Sequence, residues 1–155
     1  MLVLATKDEE LTRRFRQQLE QSYAIVEFAD FPSLRRALPR LRPAAAFVDP
    51  ALGGGKGMRL LRSLCRACRE TPIVAIGSFA DGDAALIHAG VRGAFDQNTP
   101  VSLYARMVTA VVSGEMWFTR RSMSLFLEAL LRTLEVLQHL HRNDSQMPWQ
   151  DCRLL

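Results

Sequence analysis

The residues best placed to do chemistry fall in short clusters, Thr6-Lys7, Asp49-Pro50, Gly77-Ser78 and Gln97, each directly after a short apolar run. If those runs are strands of an open parallel sheet, ligands and chemistry gather outside their carboxyl ends, where these residues would meet. Asp49 is the only carboxylate among them. A second cluster, Trp117-Phe118-Thr119-Arg120, sets two aromatic rings beside a hydroxyl and a guanidinium. A third, Cys65-x-x-Cys68, has the spacing of a metal or redox pair but lies within the helical pattern LLRSLCRACRE and lacks a second pair to complete a zinc site. Ordinary half-buried helix residues are expected there, and no metal site.

The elements that must position these groups are legible in the periodicity. Short apolar runs alternate with longer amphipathic segments, which calls for parallel strands joined by crossover helices. Strands are expected at 2–5, 24–28, 45–49, 73–76 and 93–95. The first helix begins near Asp8, a suitable N-cap, and carries Leu11, Phe15 and Leu19 on one face. Pro32-Ser33 opens a shorter second helix, limited by Pro39 and Pro43. The run Gly53-Gly54-Gly55 with Gly57 precedes a third, bearing Met58, Leu61 and Cys65. A fourth spans 81–89 and stops at Gly90; a fifth starts at Pro100 and runs to Gly114. Five such units make a small doubly wound α/β sheet.

Beyond Gly114 the pattern changes, because residues 121–142 read as a helix with no strand to follow. Met123, Leu127, Leu130, Leu134 and Leu137 repeat at intervals of four and three, the spacing of a coiled-coil seam, and Phe126, Leu131 and Leu140 widen the stripe. So much apolar face needs cover from its own domain, a following domain or a second copy. Self-association is preferred, with an intrachain lid as the alternative. Residues 143–155, NDSQMPWQDCRLL, read as a linker.

Composition bounds the function classes. At 155 residues, 48% hydrophobic and 23% charged, the chain suits one compact domain with an appendage and is not a disordered polymer. No apolar run approaches the ~20 residues needed to cross a bilayer, and MLVLATKDEE lacks a basic start and a cleavage site. A cytoplasmic protein with no membrane partner is expected, with Cys65, Cys68 and Cys152 as reduced thiols. The net charge of +4 comes almost wholly from arginine, Lys7 and Lys56 being the only lysines. The arginines are scattered as on solvated helix faces; a basic balance aids binding of nucleic acid or anionic nucleotide without naming either.

Over roughly residues 2–120 the chain resembles the receiver domains of two-component response regulators. The resemblance is carried by AAFVDPALGGGKGMRLL, a strand ending in an Asp, then a loop, a glycine and a helix, and by HAGVRGAFDQNTP and VVSGEMWFTRR. The last two segments look like receivers of the LuxR or NarL type, in which a helix-turn-helix domain follows. The resemblance implies a CheY-like (flavodoxin-like) sheet of order 2-1-3-4-5 with an added sixth helix, and it puts Asp49 at the phospho-acceptor position.

Three of the four supporting roles in that family are lost, at four positions. The two acidic residues that hold magnesium after the first strand are Thr6 and Lys7 here, the hydroxyl residue after the fourth strand is Gly77, and the lysine after the fifth is Gln97. Losing two carboxylates deprives a hard divalent cation of its best ligands, and the Lys7 ammonium adds a competing charge. Magnesium is expected to bind poorly, and Lys7 is expected either to pair with Asp49 in its place or to point to solvent. Asp8 is read as a helix cap rather than a surviving metal ligand.

The tetrad Trp117-Phe118-Thr119-Arg120 resembles the W-[FLM]-[TS]-R motif of the VpsT/CsgD class of biofilm regulators, receiver-like proteins that bind cyclic di-GMP and dimerise. Ordinary LuxR-type receivers end in a similar segment in which the tryptophan only packs the fifth helix. The chain is therefore read as a regulatory, non-enzymatic pseudo-receiver with residues 1–120 as receiver-like domain, 121–142 as dimerisation helix (Leu127, Leu130, Leu134, Leu137) and 143–155 as linker. It is expected to need no cofactor, to answer to cyclic di-GMP at Trp117, Phe118, Thr119 and Arg120, to form homodimers, and to reach DNA only through a helix-turn-helix domain beyond this sequence. Two alternatives stay open: a constitutive dimerisation or protein-interaction domain, and a receiver phosphorylated at Asp49.

Overall fold

The computed structural model describes residues 1–79 and 83–144. Five parallel strands, β1 (Leu2–Ala5), β2 (Ile25–Phe28), β3 (Ala45–Val48), β4 (Ile73–Ile76) and β5 (Gly93–Phe95), form one sheet of order β2-β1-β3-β4-β5. Between and after them lie α1 (Glu9–Leu19), α2 (Phe31–Leu41), α3 (Gly57–Ala67), α4 (Asp83–Ala89), α5 (Tyr104–Val112) and α6 (Arg120–Asp144). Short 3₁₀ turns at Pro50–Lys56 and Val101–Leu103 lead into α3 and α5. This is the doubly wound α/β architecture that the alternating pattern implied. The described part of the expected fourth helix begins at Asp83; residues 81 and 82 lie outside the described residues.

β1, β3 and β4 are buried along their whole length, as strands covered on both faces must be, and this is why they read as unbroken apolar runs. Their alternate side chains feed two cores. One face packs Val3, Ala5, Val48 and Ile73 against α2, α3 and α4 through residues such as Leu34, Leu61 and Leu86. The other packs Leu2, Leu4, Phe47 and Phe95 against α1 and α5 through Leu11, Phe15, Tyr104 and Met107. There Phe15, Phe47, Phe95 and Tyr104 make an aromatic cluster with ring centroids 4.9–5.9 Å apart.

Several boundaries shift for identifiable reasons. β3 ends at Val48, because Asp49 turns to cap the following 3₁₀ segment. The second helix runs past Pro39 to Leu41 rather than stopping there: Pro39 and Arg35, whose carbonyl loses its i+4 donor, are both exposed and water can compensate. It stops at Arg42, which adopts left-handed φ/ψ of 44° and 56°. The sequence pattern also gave no sign of a parallel bridge between Gly93 and Trp117 at the outer edge of β5. Trp117 donates its N–H to the Arg92 carbonyl and accepts from the Ala94 N–H, both at 2.9 Å, so this segment covers the sheet edge. Gly93 permits the approach, since a Cβ there would meet Trp117 Cβ and carbonyl oxygen at 2.9 Å.

The chain divides into a unit of Met1–Thr119 and a second of Arg120–Leu155. Within the second, Leu127, Leu130, Leu134 and Leu137 of α6 are 53, 43, 47 and 56% exposed. No helix among the described residues is long and apolar enough to cross a membrane.

Candidate functional site

At the carboxyl ends of β1, β3, β4 and β5 lies a cavity of about 360 Å³, lined among others by Thr6, Asp8, Asp49, Gly77, Asp96 and Gln97. The parallel sheet brings together here clusters that are far apart in sequence. Asp49 is not the only carboxylate of the site, as the sequence suggested, because Asp8 and Asp96 line it too. Asp8, read from the sequence as a helix cap, lines the cavity while capping α1, and Asp96 directly follows Phe95, the last residue of β5.

Each carboxylate is tied into the chain. Asp49 Oδ2 accepts from the Thr6 hydroxyl at 3.2 Å, and Oδ1 accepts from the Ala51 N–H at 2.8 Å. The Thr6 hydroxyl in turn accepts from the Asp8 N–H at 3.1 Å. Asp8 Oδ1 caps α1 by accepting from the Leu11 N–H at 3.0 Å, as expected of an N-cap, while Oδ2 accepts from the Gln97 side-chain amide. Asp96 Oδ1 accepts from the Asn98 N–H at 2.9 Å. Gln97 is further fixed by Arg14, whose Nη1 donates to its carbonyl at 3.1 Å.

Lys7 does not pair with Asp49. It is exposed, makes no ion pair among the described residues and is absent from the cavity wall. The buried Thr6 takes the place beside Asp49, and Lys7, in the bend that follows, is exposed. Its charge is felt instead at Asp30, the N-cap of α2, whose carboxyl is held below its ordinary range chiefly by the Ser33 N–H, with Arg36 and Lys7 as minor contributors. Among the described residues no basic side chain lines the cavity, and no three His, Cys, Asp or Glu converge as a metal site.

The W-F-T-R residues have unequal surroundings. Trp117 packs partly buried against the α1/α5 core and Phe118 against the α2/α3/α4 core, so the two rings clasp the edge of the sheet from both faces. Thr119 and Arg120 are exposed, Arg120 as the first residue of α6.

The cysteine pair sits at the end of α3 and is fully rather than half buried, Cys65 being 9% and Cys68 7% exposed. Burial, helped by the neighbouring Cys68, pushes the Cys65 thiol up to about 11, and burial raises Cys68 as well. With Met116, both line a cavity of about 260 Å³ between the end of α3 and the turn from α4 into β5, at the amino end of the sheet.

No family model matches the chain, and no curated protein matches it. Solved structures do. The isolated receiver domain of RcsB from Salmonella enterica serovar Typhimurium, studied with the phosphomimetic BeF3-, aligns with a TM-score of 0.65 at 20% identity over 81% of this chain and 96% of that one. A LuxR-family two-component response regulator from Aurantimonas sp. SI85-9A1 gives 0.67 at 15% identity over 84% and 96%. The signal receiver domain of NarL from Mycobacterium tuberculosis gives 0.63 at 14% identity over 74% and 96%. At these identities the likeness shows the fold: the chain has the receiver fold. Against a longer RcsB structure it spans 64% of that chain.

Proposed function

We propose that this chain is the regulatory receiver-fold domain of a DNA-binding transcription regulator, and that it signals by ligand-linked dimerisation without phosphoryl transfer. The observation that carries the reading is the state of Asp49: both carboxylate oxygens already accept hydrogen bonds from within the chain. Magnesium demands near-octahedral oxygen ligation, and phosphoryl transfer needs cations on the developing charge. Here the neighbouring carboxylate of Asp8 is committed to α1 and Gln97, and no lysine, arginine or histidine among the described residues lines the cavity. The residues present do not fit the metal, and Asp49 acts as a structural cap.

The input is then assigned to the Trp117-Phe118-Thr119-Arg120 segment and the output to α6. Trp117 and Phe118 anchor the first half of the segment to the sheet edge. Thr119 and Arg120 carry the hydroxyl and guanidinium that a cyclic dinucleotide's phosphate and guanine would engage. The exposed Leu127, Leu130, Leu134 and Leu137 form the heptad seam through which two copies pair, and that pairing sets the spacing of attached DNA-binding domains.

Calorimetric titration of cyclic di-GMP into the full chain and into Arg120→Ala, with light scattering, tests the ligand arm. Binding to the unmodified chain alone, coupled to dimer formation, is expected. Dimers indifferent to nucleotide would leave a constitutive pairing domain. Incubation with magnesium and beryllium fluoride tests the other arm. No change in thermal stability is expected, and a stabilisation abolished by Asp49→Asn would restore the phosphorylated receiver.

A further inference from the structure

We propose that Cys65, Cys68 and Met116 form a binding site for one soft monovalent metal ion, copper(I) by preference, at the amino end of the sheet. The two thiols are i and i+3 neighbours across the last turn of α3, which puts them side by side. Both are free of disulfide linkage, and both line the same cavity as Met116. Met116 comes from the segment after α5, and its position is held by the two hydrogen bonds that fasten the adjacent Trp117 to Arg92 and Ala94. A buried cysteine usually serves as a small apolar packing residue. Here two of them share a cavity with a third sulfur.

The wall selects the ion. Among the described residues it contains Cys65, Cys68 and Met116 but no carboxylate and no imidazole, and Thr71 is its one hydroxyl, so its charged or strong side-chain ligands are all sulfur. Magnesium and calcium require oxygen ligands, and a structural zinc site closes with four strong ligands, which this cavity does not provide. Thiolate and thioether sulfur together suit copper(I). Binding would form two copper–sulfur bonds to thiolates and release both thiol protons to solvent, so that one monovalent ion with two thiolates carries a net charge of about −1. Arg69 and Arg92 line the same cavity and supply the compensating charge.

The test uses the full, reduced chain under anaerobic conditions. One equivalent of copper(I), delivered as its acetonitrile complex, should slow alkylation of Cys65 and Cys68 by N-ethylmaleimide relative to the metal-free protein, as mapped by peptide mass spectrometry. Cys152 should react at its metal-free rate, and zinc(II) should protect neither thiol of the pair. In competition with a chromophoric copper(I) chelator, Met116→Leu should weaken binding roughly tenfold, the low end of the effect of disturbing a metal site's surroundings. Unchanged alkylation with copper(I), equal protection by zinc(II), or an undiminished affinity in Met116→Leu would each overturn the assignment.

Discussion

At the carboxyl ends of the strands, each oxygen of Asp8 and Asp49 meets a donor supplied by the chain itself; at the amino end, two thiols and a thioether face a cavity bordered by arginines. The first end is where this fold usually does its chemistry, yet it is electrostatically self-contained. Charged oxygens left without donors are costly in a partly enclosed site, and Thr6, Ala51, Leu11 and Gln97 remove that cost internally. Sulfur groups differ, because they hydrogen-bond weakly and tolerate burial without partners. A site built of them keeps its ligating capacity.

The comparison breaks most severely if the layer beneath both ends is removed. Phe47→Ala takes away the ring that β3 presents to Phe15 and Phe95, and a loss of about 3–5 kcal/mol in urea unfolding is expected. Gly57→Ala discriminates between the ends. Its Cβ would lie 2.1 Å from the Pro50 carbonyl oxygen, so the loop after Asp49 must shift at a cost of about 1–3 kcal/mol. Hydrogen exchange should rise around Asp49 while Cys65 and Cys68 stay shielded; equal exposure at both ends would show that they are not independent.

Thr6→Val is a smaller perturbation, deleting the hydroxyl that links Asp49 to the Asp8 N–H. A loss of about 1 kcal/mol is expected. No loss would mean that the closed network contributes nothing to the folded state.

The gentlest test is pH. Asp30, at the carboxyl end, has its folded-state pKa below the ordinary 3.8, so its contribution is complete above that value and fades as pH falls through the lowered one. Cys65, at the amino end, is raised from 9.0 to about 11; the folded metal-free protein holds its proton longer than the unfolded chain, so stability falls as pH rises between those values. Thermal unfolding of Asp30→Asn should lose part of the acid-side slope and Cys65→Ala part of the alkaline slope. An unaltered profile in either variant would remove that group from its end's contribution.

Much of this was legible beforehand. Apolar runs located the strands, most plainly β1, β3 and β4, because strands buried on both faces have little freedom in composition, and Asp8 was recognisable as a cap from its position before Leu11. What escaped were contacts between distant segments. A single bridge between Gly93 and Trp117 has no periodicity to detect, and Met116 carries no sign that it will lie beside a cysteine pair 48 residues earlier. Of the two placements open to Lys7 the solvent-exposed one holds, because position after a strand does not say which of two consecutive side chains turns inward.

The sequence by itself determined the α/β class, the order of elements along the chain and the heptad stripe of α6, since these follow from local periodicity and from where turns and caps interrupt it. Only the tertiary structure decided which groups meet. It joined Thr6 to Asp49 and Gln97 to Asp8, sent Lys7 to the surface, and put Met116 on the wall of the cavity that Cys65 and Cys68 line. The physical reason is that hydrogen bonds and cavity walls depend on distance and direction within about an ångström, which parallel crossovers fix in space but leave unwritten in the spacing of residues.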